Sequence, residues 1–352
     1  MSLLITALIA AAIPPIATDT PNRQPQLAAS NSMVALVFGS GRSVMFSKSL
    51  DQGRTFSIPV QVAEAPVLPL SRHRGPRVAF SGGTILVTAI VGTAVATGPH
   101  AHGLPSDGNL LLWRSKDEGR TWSKPVTIND VPSSAREGLH AMAADAEGNV
   151  AAVWLDLRAK GTRLYGAVSK NGGVSWSPNF KVYESPDGTI CQCCHPSLLA
   201  NGGGEFSVMF RNVVQGCRDM YVLRIRDGKM VNAPQKVGNG TWEITACPMD
   251  GGGIAFSKGR VLTAWRRDQD VFLAVPGQNE VRLGQGKDVA LAAAGDKIFA
   301  VWNSAGAVKS YVSGTVSSIS GEGTFPSVTA LPDGSAIAVW EEKGSIAVRR
   351  LE

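Results

Sequence analysis

SLDQGRTF (Ser49–Phe56), SKDEGRTW (Ser115–Trp122) and SKNGGVSW (Ser169–Trp176) repeat one pattern, S-x-[DN]-x-G-x-[ST]-[FW], three times along the chain. Each copy is followed by Ser and, at once or one residue later, by Pro. Asp, Asn, Gly and Thr are ordinary turn residues, so a single copy would say little. Three in register predict one recurring hairpin. The Asp or Asn can satisfy turn amides through its side chain, and the Gly takes a backbone angle that other residues resist. The aromatic residue that ends the pattern is expected to plug space between neighbouring units. These turns are read as structural, and the chemistry must lie elsewhere.

Outward from these turns the chain repeats. Seven segments read as second strands of similar units: MVALVF from Met33, TILVTAIV from Thr84, NVAAVW from Asn149, EFSVMF from Glu205, RVLTAW from Arg260, KIFAVW from Lys297 and SAIAVW from Ser335. Turn signals such as DAEGN at Asp145, NGGGE at Asn201 and LPDGS at Leu331 precede them and predict hairpins between strands 1 and 2. Repetition of this kind, four strands per unit, predicts blades arranged around a channel. We read seven blades, with six and an irregular end as the alternative. The pattern resembles the Asp-box turns of the sialidase-like, or BNR repeat, β-propeller superfamily. That resemblance implies an all-β propeller but does not imply sialic acid hydrolysis, because function resides in the site and not in the fold.

Composition agrees with an all-β chain. The 352 residues include 39 Gly, 20 Pro and five Cys, with a net charge of +6. Lys and Arg are scattered, without the basic run or aromatic interleaving of a nucleic-acid groove. No apolar stretch is long enough to span a bilayer. Leu3–Ile13 (LLITALIAAAI) has the apolarity of a signal-peptide core with Ala17 as a cleavage point, although no Lys or Arg precedes it. Export to the periplasm or medium is the expectation for residues 1–17. The rival reading is that this segment supplies a fourth strand that closes the ring. Residues 18–352 are read as one domain.

Family sialidases use three arginines, a Tyr nucleophile paired with Glu, an Asp acid/base and an Arg-Ile-Pro motif. Here Arg-Ile-Pro is absent, and Gly75-Pro76-Arg77 reverses its order. The four Tyr (Tyr165, Tyr183, Tyr221, Tyr311) all fall in predicted third or fourth strands. Exo-sialidase activity is therefore not expected.

In a propeller the loops from strand 4 to the next strand 1, and from strand 2 to strand 3, emerge on the face opposite the quoted turns. All five Cys and five His map to that face. The sharpest signal is Cys191-Gln192-Cys193-Cys194-His195-Pro196, joined by Cys217 and by Cys247-Pro248-Met249-Asp250. In extended chain Cys191 and Cys193 project to one side, with His195 or Cys217 available as a third donor. Such donors favour Cu(I) or Zn(II), and Met249 suits copper. The expected metal set is Cys191, Cys193, Cys194, His195, Cys217, Cys247 and Met249. The competing reading is disulfide stapling, for example Cys217 or Cys247 to one of the triplet, with an odd thiol left over. His73, His100 and His102 read as solvated loop residues.

Charged residues near the same mouth complete the picture. His140, Asp156, Arg158, Arg211, Arg218, Asp219, Asp250, Arg266 and Arg267 are expected to line a concave polar site for a small anionic ligand. The first reading is thus a propeller that binds a soft metal or an anion. The second is a glycan hydrolase or lyase drawing acid/base groups from Asp156, Asp219, Asp250 or Glu137. The third is a non-catalytic scaffold for a protein partner.

Overall fold

The computed structural model describes residues 12–98, 101 and 103–352; His100, His102 and all but the last two residues of the Leu3–Ile13 run lie outside them. Seven antiparallel sheets form a seven-bladed β-propeller, and no helix occurs among the described residues. The innermost strands are Asn22–Ala29, Arg77–Ser81, His140–Ala144, Ser197–Gly202, Gly252–Ser257, Lys287–Ala294 and Thr324–Ala330, one per blade. Each touches the next, and the last returns to the first, so the ring is closed. Blade 7 takes its outermost strand from the other end of the chain, with Ala12 opposite Ala347 and Ile13 opposite Ile346.

The second strands are buried on both faces, which explains their nearly continuous apolar runs. Val34–Ser40, Val150–Asp156 and Glu205–Arg211 are buried at every residue. Apolar residues do not gather in one core. They form seven wedges, one at each junction between successive blades. Trp154, Trp265, Trp302 and Trp340 each stand two residues before the end of a second strand and pack back toward the preceding blade. Such a solid is stable only as a ring, because every wedge needs both of its neighbours.

The three quoted turns are built alike. Ser49 Oγ donates to Asp51 Oδ1 at 2.7 Å and accepts from the Gly53 N–H at 2.7 Å, while Asp51 Oδ1 accepts the Thr55 N–H at 2.9 Å. Ser115, Asp117, Gly119 and Thr121 repeat this set, as do Ser169, Asn171, Gly173 and Ser175. The glycines are required twice over. Gly53 has φ of 81°, and a Cβ there would sit 1.7 Å from Ile337 Cδ1 of the preceding blade. The terminal aromatic fills the junction as expected: Trp122 meets Phe46 of blade 1 edge-on, with ring centroids 5.3 Å apart.

Opposite these turns, three inner strands begin with a bulge. Gln24, Asp288 and Phe325 have φ of 55°, 58° and 49°, each where the register with the second strand shifts. A bulge re-aims a side chain at the rim of a sheet. Here it turns the Asp288 and Phe325 side chains toward His73.

Candidate functional site

The mouth of the channel is organised around His73. It lies in the segment between blades 1 and 2, Ser71-Arg-His-Arg-Gly-Pro-Arg77, with φ of 68°. Arg77 holds this segment by donating to the carbonyls of His73 at 2.5 Å and Pro76 at 3.0 Å. His73 Nε2 then meets Asp288 Oδ1 of blade 6 at 2.8 Å, and the ring stacks on His195 of blade 4 at 4.1 Å. The expectation of a solvated His73 is therefore wrong: its side chain is only 11% exposed, because the loop folds inward over the channel.

Two carboxylates share this centre and differ in character. Asp250 Oδ2 accepts the Asp288 N–H at 3.1 Å, while Oδ1 has no hydrogen-bond partner among the described residues. Burial, and then the charge of Asp288, push the Asp250 carboxyl up to about 6. Burial opposes ionisation of Asp288 as well, but the hydrogen bond and charge of His73 outweigh it and hold that carboxyl below its ordinary value. His195 is kept neutral, its pKa well below the usual range, by burial and by the charges of His73, Arg77 and Arg211. Its Nδ1 accepts the Gly251 N–H at 3.2 Å. Neighbouring groups whose affinities for protons are driven apart are the raw material of acid–base chemistry.

The Asp250 shift sets a stability profile. Its folded pKa of about 6 lies above the ordinary 3.8, so the native state holds this proton more tightly than the unfolded chain does. The advantage is complete below about pH 4 and is lost as pH rises through about 6, a swing of about 3 kcal/mol. Asp250→Asn, which keeps an acceptor for the Asp288 amide, is expected to gain stability over the wild type across that window. Parallel melting curves at acid and neutral pH would show it, and curves that keep a constant offset would refute it.

Two cavities flank this centre. The larger, about 690 Å³, is lined by Ser71, Arg72, Arg74, Leu104, Glu137, Gln192, Met249 and the Cys193–Cys247 disulfide. The smaller, about 290 Å³, is lined by Arg72, Pro248, Met249, Arg266, Lys287, Asp288 and Phe325. Arg72 and Met249 belong to both and touch each other, so the two spaces form one cleft narrowed at that contact. Glu137 is the acidic group of the larger space. Burial raises its carboxyl pKa despite Arg74, whose Nη2 lies 3.7 Å away, and despite Arg136.

Of the residues expected to form the anion site, Asp250 and Arg266 reach this region. Arg211 does not present its charge to a ligand. It is 1% exposed and donates to the carbonyls of Asp250 at 3.0 Å, Arg218 at 2.8 Å and Arg266 at 2.9 Å. Arg218 turns to the Ile244 carbonyl at 3.3 Å and to Cys191 Sγ at 3.4 Å. Asp219 accepts from the Trp242 N–H at 2.8 Å and pairs with Lys236 at 2.8 Å. Arg267 is paired with Glu280 and stacks on Phe272, while Arg158 pairs with Asp156 and Asp130 and covers Tyr165. Asp156 also accepts from Trp154 Nε1 at 2.7 Å. These groups are committed to blade and loop contacts. His140 is fully buried, with Nε2 on Thr88 Oγ1 at 3.0 Å.

The metal set divides in the same way. Cys191, Cys193 and Cys194 converge, all buried, and Cys193 is bonded to Cys247. The stapling reading anticipated such a bond. Met249 packs against the triplet. His195 turns instead into the channel beside His73, and Cys217 Sγ faces its own loop at the Gln215 carbonyl, 3.8 Å away. Sequence reasoning passed over Arg72, Arg74, Lys287 and Asp288. Asp288 had a signal: it is the second residue of an apolar inner strand, much as Asp250 stands just before one.

No family model matches the chain, and no curated protein matches it in sequence. Solved structures do match in shape. An α-L-arabinanase of Penicillium chrysogenum, complexed with arabinobiose, is 12% identical with a TM-score of 0.54, and 97% of each chain is covered. An ulvan lyase of a polysaccharide lyase family, bound to a GlcA(1-4)Rha3S saccharide, is 9% identical with a TM-score of 0.58, over 97% of this chain and 96% of that one. An intramolecular trans-sialidase of Ruminococcus gnavus is 10% identical with a TM-score of 0.51, over 94% of each.

Proposed function

We propose that this protein, a sialidase-like β-propeller by fold, is a glycan-active enzyme that binds an acidic saccharide across its mouth and cleaves a glycosidic bond by acid–base chemistry. The observation that carries this reading is Glu137, a carboxyl whose pKa burial raises, in a 690 Å³ cavity that it shares with Arg72 and Arg74. That volume suits a saccharide of a few units. Arg72, Arg266 and Lys287 offer three cations along one cleft, the pattern that carboxylate or sulfate groups require, while Arg74 is buried behind Glu137 and donates to its carbonyl. Glu137 serves as the proton donor. Asp288, held ionised by His73, serves as the base at the other end. The structural neighbours, all glycan-active by name, support the class of substrate but not its identity. The Cys193–Cys247 disulfide supports export to an oxidising compartment.

The test is a panel of uronate-bearing and sulfated polysaccharides set against neutral arabinan and a fluorogenic sialoside. Reducing-end release and ultraviolet absorbance of an unsaturated product together report hydrolysis or elimination. Cleavage of acidic polymers alone is expected, with KM raised about tenfold in Arg72→Ala, the equivalent of about 1.4 kcal/mol of lost binding. The sialoside should remain intact, since every Tyr lies in a third or fourth strand, away from the mouth. Cleavage of arabinan alone, or of nothing in the panel, would overturn the proposal.

A further inference from the structure

We propose that Cys191, Cys193 and Cys194 form a buried thiolate site for one soft cation, Cu(I) or Zn(II), which the Cys193–Cys247 disulfide closes and its reduction opens. Cys193 Sγ lies 3.7 Å from Cys191 Sγ and 3.9 Å from Cys194 Sγ. Sulfurs bound tetrahedrally at about 2.3 Å from one ion stand roughly 3.8 Å apart, so a Cys193 thiolate released from its disulfide would already stand at ligand spacing from both neighbours. Cys191 and Cys194 approach to 2.6 Å, and a cation between them would draw them outward. Cys247, exposed in the loop that precedes blade 5, holds Cys193 in the disulfide and so withholds its sulfur from this group.

Chemistry and surroundings agree with a soft ion. The donors at this point are sulfur, while the carboxylates of the mouth belong to the separate His73, Asp250 and Asp288 group. Thiolate ligands select Cu(I) and Zn(II) over Mg(II) or Ca(II). Cys191, Cys193 and Cys194 are 1%, 7% and 2% exposed, which shields a bound ion from water. The excess negative charge of several thiolates has counter-charge at hand, because Arg218 Nη1 lies 3.4 Å from Cys191 Sγ. The Met249 thioether packs on the triplet from the cleft side.

The redox step balances simply. An external dithiol gives two electrons and two protons to the Cys193–Cys247 bond and is itself oxidised to a disulfide, leaving two thiols in the protein. Metal binding then releases the thiol protons to solvent. In the oxidised state Cys193 has no thiolate to offer, and the remaining pair, Cys191 and Cys194, makes a much poorer site.

The test measures binding directly and is therefore independent of any glycan activity. The full chain, as isolated and after dithiol reduction, is titrated anaerobically with Cu(I) and separately with Zn(II) against a chromophoric chelator. Co(II) serves as a probe of thiolate charge-transfer absorption. One equivalent is expected to bind to reduced protein and little to the oxidised form. Cys191→Ser and Cys194→Ser should each weaken binding more than about 100-fold, above the 10–100-fold that loss of an outer partner causes. Cys217→Ser should leave it unchanged. Cys247→Ala, which cannot form the disulfide, should bind metal without reductant through the triplet alone, and circular dichroism checks that each variant is folded. Reduced, folded protein that takes up no stoichiometric metal overturns the proposal. So does a Cys191–Cys194 disulfide found by mass spectrometry in protein that gains no affinity on reduction.

Discussion

Arg211→Leu is expected to cost about 3 to 5 kcal/mol of stability, a large share of the 5–15 kcal/mol that holds a typical domain together. The guanidinium is buried, lies over the Trp242 ring at 5.2 Å, and ties together three carbonyls, those of Asp250, Arg218 and Arg266. Leucine fills part of the volume but leaves those carbonyls without donors in a dry setting, at about 1–3 kcal/mol each. Since two of the three belong to blade 5 and its entry loop, the defect should also loosen the Asp250 and Met249 side of the mouth. Arg211→Lys, with one donor group in place of a fork, should fall between the two. Denaturant unfolding measures the effect. A Leu variant as stable as the wild type would mean that Arg211 is free for a ligand after all.

Glu137→Gln is expected to lower kcat about 10²–10⁴-fold on whatever acidic glycan is cleaved, with little change in KM, because an amide keeps the shape but cannot donate the proton. The pH profile carries the sharper signature. Burial raises the carboxyl pKa of Glu137, so the acid form persists to higher pH than an exposed Glu allows, and activity should fall as pH rises through that raised value. The Gln variant should lose this limb. Retained kcat, or an unchanged limb in the variant, would remove Glu137 from the mechanism and leave Asp250 as the proton donor to test. Stability should change little either way, since Glu137 Oε2 makes only a loose pair with Arg74 at 3.7 Å.

Local chemistry determined the architecture. Each blade is assembled from contacts between strands adjacent in sequence, so its signals lie within a few dozen residues. Seven apolar second strands and three turns with one hydrogen-bond pattern pointed to seven blades rather than six, and the sheet topology bears that count out. The C-x-C-C-H segment was legible for the same reason: its three sulfurs converge within four residues of chain.

The site itself was not legible, because it is made across the ring. His73 finds Asp288 215 positions away and stacks on His195 from a third blade. A solvated loop and an inward-folded one have the same sequence signature. Only ring closure, which sets blade 2 opposite blade 6, supplies the carboxylate that draws His73 inside. The arginines mark the same boundary. Arg211 and Arg72 are equally cationic in the sequence, yet Arg211 is spent on backbone carbonyls while Arg72 lines the cleft. Which charge is spent and which is offered depends on where seven blades bring their loops together, and strand pattern carries no record of that.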